Sequence, residues 1–473
     1  MEKLNLINDF VWSYVITLVL VGAALYFTFR SRGIQFRYFK DAIRIILGKD
    51  KNPHKTLYPE GKKIGSFQAF AISLASRVGT GNLAGVASAI FIGGPGAVFW
   101  MWLMALLGAA TAFFEATLAQ LYKKKGQDAF YGGPAYYMES GLGKKWMGVV
   151  FSVLMILSFG MAQNIVQSQT IVSAMSDTFN VSTLPLAISL AVLLFIIVVG
   201  GVTRISLIVS YIVPFMAIGY ILLALVVIAM NITAVPGLIA LIVKSAFGIR
   251  QIGGGMIGAA ILQGVKRGLF SNEAGEGSTP NAAAIADTSH PVKQGLVQAL
   301  GVFIDTIVIC SCTAFIILLS GQLGNGEDGI ILTSHSLESQ IGIAGKYFIT
   351  AAIFLFAFST VIANYYYGET NIRYIFSHKA QKIENAAVGI YRCITFAMII
   401  LGAFLTLQTA WVFVDLSMGL LTLVNVSALI LLSSKGFKLI SDYRKQRNEG
   451  IKAPVFNKTE IFAEEADCLE GWE

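Results

Sequence analysis

Charge is what this chain has least of. Only 13% of its 473 residues are Asp, Glu, Lys or Arg, against 55% hydrophobic. That balance excludes an ordinary soluble domain, because uninterrupted apolar runs of 18 or more residues recur from end to end and read as membrane spans. Cysteine is nearly absent too. Cys310, Cys312, Cys393 and Cys468 show no zinc spacing, and two of them share one apolar helix, so they are read as small polarizable core residues rather than a disulfide framework. The four histidines, His54, His290, His335 and His378, are scattered over loops and helix ends without metal-ligand spacing. No Gly-x-x-x-x-Gly-Lys-Ser/Thr phosphate loop occurs. Enzyme chemistry therefore finds no footing. The net charge of +8 is explained by basic loops on one membrane face and not by a nucleic-acid partner.

What the chain does have is about eleven apolar spans, predicted near 10–30, 64–92, 97–122, 148–175, 185–201, 206–231, 255–289, 295–320, 346–376, 386–408 and 411–434. The run from Phe10 to Phe29 lacks a preceding basic segment and a small-residue cleavage site, so it is a retained span and not a signal peptide. Lys and Arg concentrate at 30–63, 123–125, 144–145, 204, 293, 373, 379, 382 and 435–447. These positions fall on one side if the N-terminus is outside and the C-terminus cytoplasmic, in a multi-pass protein of the cell membrane. Between the first two spans, Phe36, Phe39, Ile43 and Ile46 alternate with Arg37, Lys40 and Arg44, the pattern of an amphipathic segment lying on anionic lipid.

The spans beginning near 64, 97, 148, 185 and 206 are echoed near 260, 295, 346, 386 and 411, an offset of about 200 residues each time. Five is odd, so the second set crosses in the opposite sense, as in an inverted repeat. The expected division is an extra N-terminal helix (1–30), a cytoplasmic amphipathic segment (31–63), a first five-helix repeat (64–231), an extracellular connection (232–254), a second inverted repeat (255–434) and a cytoplasmic tail (435–473). The tail is polar and ends in an acidic cluster, which predicts a flexible segment.

One span is broken. Ala-Ser-Arg-Val-Gly-Thr-Gly-Asn, 75–82, interrupts apolar sequence on both sides. Unwound backbone at membrane depth is tolerated only where it is buried in protein or lines a cavity, and secondary transporters build ion and substrate sites from such breaks. The repeat predicts a partner near 270–280, where Phe270 to Pro280 is polar and glycine-bearing. In the first break, Gly79 and Gly81 free the backbone, and the half-helix beginning near Asn82 offers N–H groups to a carboxylate. In the second, the carbonyls of Phe270, Ser271 and Asn272 suit an ammonium, with Ser278 or Thr279 expected to cap the following half-helix. A ligand bearing both charges is an amino acid.

The string Gly-Leu-Phe-Ser-Asn-Glu-Ala-Gly-Glu-Gly-Ser at 268–278, with Gly-Gly-Pro-Gly at 93–96 and Tyr-Gly-Gly-Pro-Ala-Tyr-Tyr-Met at 131–138, resembles the alanine or glycine:cation symporter family over nearly the whole chain. Val78 to Asn82 also resembles the first broken helix of the neurotransmitter sodium symporters. The resemblance implies an all-α integral membrane protein with a leucine-transporter-like 5+5 inverted repeat. It implies Na+-coupled uptake of alanine, glycine or a similarly small amino acid. Carried over by position, it assigns the amides of Thr80 and Gly81 to a substrate carboxylate. It assigns the carbonyls of Ala75 and Val78, with the hydroxyls of Ser359 and Thr360, to a sodium ion. Arg77 departs from the sodium-symporter pattern, which carries a small residue there, and weighs against a second sodium site beside Asn82.

Gln163, Gln167 and Thr170 share one helical face, either bonding between helices or lining the substrate pocket. Arg77, Glu115, Lys266, Arg267, Glu273, Glu276 and Asp305 lie at membrane depth, where charges are costly and usually paired. An ion-pair network bracing the two breaks is the plainer reading. The sharper one has Glu273 or Asp305 binding a cation or taking up a proton. Glu369 and Arg373, four apart, read as a local pair. The competing functions are a proton-coupled amino-acid carrier and, further off, an amino-acid channel. The expected partners are a small amino acid and membrane lipid, with no obligate protein partner.

Overall fold

The computed structural model describes residues 8–49, 64–126, 129–248 and 254–472. In chain order the helices begin with α1 (Asn8–Arg30), α2 (Ile34–Arg37) and α3 (Phe39–Ile46). The first interrupted pair follows, α4 (Ser66–Arg77) and α5 (Gly81–Gly93), then α6 (Gly96–Leu121). A two-residue antiparallel ladder, β1 (Lys124–Lys125) with β2 (Phe130–Tyr131), sets Lys124 opposite Tyr131. Next come α7 (Lys145–Phe179), α8 (Thr183–Val198), α9 (Gly201–Met230) and α10 (Val235–Ala246). The second interrupted pair is α11 (Gly254–Asn272) and α12 (Thr279–Ala283). The remainder is α13 (Pro291–Ser320), α14 (Gly329–Ile341), α15 (Ile343–Phe376), α16 (Gln381–Gly402), α17 (Leu407–Leu431), α18 (Ser433–Asn448) and α19 (Lys458–Ile461).

Among the described residues, eight of these helices (α1, α6, α7, α9, α13, α15, α16 and α17) are long and apolar enough to cross a membrane. The other expected spans correspond to the short α8 and to the two interrupted pairs. The interior is built by α6, α11 and α13 packing together, with α15 lying against α4, α7 and α14. Most of α6 from Gly108 onward is buried, whereas α1, α8 and α9 present large apolar side chains such as Leu18, Phe195 and Phe215 outward. α6 is thus a core helix whose polar side chains, Glu115 and Gln120 among them, are themselves buried, and α9 a peripheral one.

Two of the connections between the expected spans contain helices, α10 and α14. α14 crosses the break at α5, where Thr333 Oγ1 donates to Leu83 O (3.1 Å) and Ser88 Oγ to Asp328 Oδ1 (2.7 Å). α10 packs beside α6. The segment after α1 is also less superficial than its amphipathic pattern suggests. Ala42 and Ile45 are buried, Phe36 and Phe39 contact the Phe303 ring, and Asp41 pairs with Arg447 at 3.0 Å. Its remainder, 50–63, lies outside the described residues.

The C-terminal tail corrects its prediction outright. It is docked rather than free, with Phe456, Phe462, Leu469 and Trp472 all buried. Two of its acidic residues are tied to lysines, while Glu464 and Asp467 stay exposed. Glu465 meets Lys435 at 2.7 Å and Glu470 meets Lys124 at 2.8 Å. Four aromatic and aliphatic side chains spaced through the acidic stretch supply the burial that the charge count hid.

Lys266 and Arg267 find their acids at the end of the molecule where α1 and α17 begin. Arg267 and Asp415 pair at 3.1 Å, and Lys266 lies 3.0 Å from Asp9 and 3.5 Å from Asp415. Trp12 Nε1 donates to Asp415 O (2.9 Å), so the extra N-terminal helix takes part in this cluster. Arg267 and Asp415 are both almost fully buried. Removing one partner leaves an uncompensated charge, and Asp415→Asn is expected to cost about 3–5 kcal/mol. The combined Arg267→Met/Asp415→Leu variant should recover most of that loss; thermal unfolding of the purified protein in detergent checks both.

Candidate functional site

α4 ends at Arg77 because Val78 leaves the helical region (φ −80°, ψ 85°), and the chain re-enters a helix through a π-helical turn, Gly81–Gly85. The amides freed by the break are met by side chains. Gly79 N–H donates to Asn82 Oδ1 (2.9 Å) and Thr80 N–H to Gln167 Oε1 (3.1 Å). The freed carbonyls face α15. Thr360 Oγ1 lies 2.8 Å from Ala75 O and 3.4 Å from Val78 O, and also bonds Phe356 O one turn back at 3.0 Å. A side chain at position 79 has no room, since a Cβ there would sit 2.3 Å from Thr360 Oγ1 and 3.1 Å from Gln167 Oε1. The structure therefore brings Ala75, Val78, Gly79, Thr80, Gln167 and Thr360 into one cluster. Ser359 points elsewhere, to Phe356 O (2.8 Å) and Met216 Sδ (3.7 Å).

In the second break, Glu273, Gly275 and Gly277 all have positive φ (56°, 101° and 81°). Glu115 of α6 accepts from Gly275 N–H (3.4 Å) and Gly277 N–H (3.2 Å). Asn425 of α17 donates to Glu115 Oε2 and to Gly275 O, both at 2.9 Å. The expected cap on α12 is not formed. Ser278 Oγ donates to Glu273, and Thr279 Oγ1 accepts from Arg77 Nη2 (3.2 Å).

Asn82 joins the two breaks. Its amide donates to Asp305 Oδ1 (2.6 Å) and Ser271 Oγ (3.1 Å), and Ser271 Oγ donates to Asp305 Oδ2 (2.7 Å). Asp305 sits in a second π-helical stretch, Phe303–Cys310, and Gln163 ends a third, Ile156–Gln163. Single π turns inside helices are frequent at functional sites because they redirect side chains out of the α register. The Asn272 side chain turns to Thr306 (3.3 Å). Phe270 is edge-on to Trp411 at 4.7 Å, and a Cβ at Gly81 would meet the Phe270 ring at 2.9 Å. The Arg267 guanidinium lies over the Trp411 ring at 3.9 Å. Every one of these site side chains is buried.

The buried charges are not the ion-pair network that their number suggests. Arg77 is held by Gln298, through its backbone and side-chain oxygens (both 3.1 Å), and by Thr279. Gly301 leaves space for that guanidinium, 2.3 Å from where a Cβ would stand. Glu273 accepts from Ser76 and Ser278, and Asp305 from Asn82, Ser271 and Thr306. Among the described residues, direct carboxylate pairing of these charges is limited to Lys266 and Arg267, which meet Asp415; elsewhere Arg373 meets both Glu369 and Glu384 at 2.7 Å. Sequence reasoning missed Asn425 and Gln298, which carry no signal beyond being polar in an apolar run. Glu115 and Asp305 did carry one, a charge at membrane depth.

The profile of the sodium:alanine symporter family matches residues 1–458. The chain belongs to that family. Among its relatives, the amino-acid carrier protein AlsT of Bacillus subtilis (strain 168) is 50% identical over 459 residues, covering 97% of this chain and 95% of the relative. The probable sodium/glutamine symporter GlnT of the same organism is 48% identical over 452 residues, covering 95% and 92%. The sodium/proton-dependent alanine carrier protein of Bacillus sp. (strain PS3) is 36% identical over 423 residues, covering 86% and 94%. Among solved structures, the substrate-bound outward-open state of a Na+-coupled sialic acid symporter superposes with TM-score 0.57 at 14% identity, covering 93% and 95%. MhsT in complex with L-phenylalanine gives 0.56 at 12%, covering 86% and 96%. These two show the fold, which is leucine-transporter-like. The family member is thus a multi-pass membrane protein and a secondary transporter of amino acids, not an enzyme.

The contact at Gly79 is testable without a transport assay. Gly79→Ala should destabilise the protein by about 1–3 kcal/mol, because the methyl group must push α4 and α15 apart. Gly219→Ala, where nothing lies within 4 Å, should leave stability unchanged or slightly raised. Thermal unfolding of the two variants side by side gives the comparison.

Proposed function

We propose that this chain carries a small neutral amino acid, alanine or glycine, into the cell together with sodium, by alternating access around the two broken helices. The observation that carries the reading is Thr360 Oγ1 converging on the carbonyls of Ala75 and Val78 where α4 unwinds. An uncharged cluster of hard oxygen atoms at a helix C-terminal end suits a monovalent cation. In this reading Na+ is held by Ala75, Val78 and Thr360, and Ser359 turns from Phe356 to join them. The substrate carboxylate meets the N–H groups around Thr80 and Gly81, with Gly79 and Asn82 shaping the turn and Gln163 and Gln167 lining the pocket. The ammonium meets the carbonyls of Phe270, Ser271 and Asn272.

The division into an extra helix, two inverted five-helix repeats and a terminal segment belongs to the same proposal. So does the orientation, with the N-terminus outside and the basic face cytoplasmic, in contact with anionic lipid. A cavity of about 680 Å³ opens on that face, lined by Tyr366, Thr370 and Arg373 of α15, the helix that bears Thr360. It supports a release path to the inside.

Substrate choice rests on the Phe270–Trp411 pair, which caps the site with aromatic bulk. Overall identity does not separate alanine from glutamine, since AlsT and GlnT are 50% and 48% identical to this chain. A second reading, proton coupling, is favoured by one observation: Glu273 and Asp305 are fully buried beside the breaks and are met by neutral donors.

Alanine uptake into proteoliposomes, with sodium or potassium outside at fixed pH, tests the proposal. Thr360→Ala should lower sodium-dependent uptake at least about tenfold, the equivalent of losing one 1.4 kcal/mol ligand. Ser359→Ala should raise the sodium concentration needed for half-maximal uptake. Sodium-independent uptake driven by a pH gradient and lost in Asp305→Asn or Glu273→Gln would replace sodium with the proton. Phe270→Ala should admit glutamine or leucine; unchanged selectivity would remove Phe270 from the pocket's size limit.

A further inference from the structure

The segment 286–290, between α12 and α13, is gripped from two sides. On one, Asp287 N–H donates to Ile64 O (3.0 Å), at the entry to α4, so the basic-face ends of both broken helices are joined there. On the other, the end of α6 and the C-terminal tail hold it. Gln120 Nε2 donates to Ala283 O (2.5 Å) and Ala286 O (3.0 Å), and Lys123 Nζ to Ala286 O (3.2 Å). Phe456 N–H donates to Ser289 O, and Ser289 Oγ to Pro454 O, both at 2.8 Å.

The tail is closed over this grip by its penultimate residue. Trp472 Nε1 donates to Gln120 O (2.9 Å), and its ring meets Phe456 edge-on at 5.0 Å. The Lys123 ammonium is caged between the Phe130 ring (4.0 Å) and the Trp472 ring (4.2 Å). Lys458 Nζ donates to Trp472 O (2.7 Å), and the Glu465–Lys435 and Glu470–Lys124 pairs fasten the edges. None of these residues belongs to the proposed substrate or sodium site.

We propose that the C-terminal segment 454–472 is a strap that holds the 286–290 linker in place and thereby keeps the basic-face ends of both broken helices shut, with Trp472 as its positioning residue. This rests on the reading that the broken helices move during transport. Opening on the basic face must part Ile64 from Asp287 or carry the linker away from Gln120, and the strap is bonded to this same linker at Ser289 and to Gln120 itself. Weakening the strap therefore shifts the protein toward the conformation open on that face.

The test is cysteine accessibility in membrane vesicles containing the full chain, which needs no substrate and is read whether or not alanine is the cargo. Cys393 and Cys468, both exposed, are replaced by serine, and Ala286→Cys is introduced as the reporter. Trp472→Ala should raise maleimide labelling of the reporter about 5-fold or more, the scale of a change in a marginal conformational balance, while Trp472→Phe keeps the ring cage and labels at close to the native rate. A milder variant, Glu465→Gln, should give a smaller rise with an unaltered unfolding temperature. Labelling that stays at the native rate in Trp472→Ala overturns the proposal. An equal rise at a control reporter on the opposite end, Ala410→Cys, also overturns it, because that would be general loosening.

Discussion

Backbone that leaves a helix inside hydrocarbon must find new partners for every N–H and C=O it frees, and this molecule is organised around two places where that happens. At each break the freed groups are answered by side chains from helices distant in sequence: Gln167 and Thr360 at the first, Glu115 and Asn425 at the second. The helices that supply these groups, α6, α7, α15 and α17, are thereby fixed around the breaks. The packing of the interior and the chemistry of the site have the same cause.

Buried charge is handled in two ways, according to depth. Near the breaks, Arg77, Glu273, Glu115 and Asp305 are met by amides, hydroxyls and backbone groups. Toward the ends, Arg267, Lys266 and Arg373 meet carboxylates directly. Neutral dipoles satisfy a charge without fixing a partner charge beside it, which in the proposed reading leaves the local balance responsive to a coupling cation. A direct pair is stiffer and suits a position whose task is closure. Both arrangements draw on the same small store of charged residues.

The two breaks were legible because glycine and polar residues inside an apolar span have few structural explanations. Gly79, Gly277 and their neighbours fall where the pattern placed them, and Ala75, Val78 and Thr360 do converge. What the sequence hid was partnership at long range. Asn425, Gln298 and Asp415 look unremarkable until the fold sets them beside Glu115, Arg77 and Arg267. Ser278 and Thr279 have the chemistry of helix caps, but a buried carboxylate and a buried guanidinium claimed them first. The tail was misread because acidic composition argues for solvation, whereas Phe456, Leu469 and Trp472, few and widely spaced, decide the outcome by burial.

The hydrogen bond from Thr80 N–H to Gln167 Oε1 makes the protein its own occupant at the first break. Any anionic oxygen that claims this amide must first evict a resident carboxamide, so what it gains is the difference between two hydrogen bonds and not the whole of one. Eviction is reversible from either side, and the glutamine stands ready to reclaim the position. In the proposed reading, in which a substrate carboxylate takes this amide, such a built-in competitor lowers the net gain on binding and eases release.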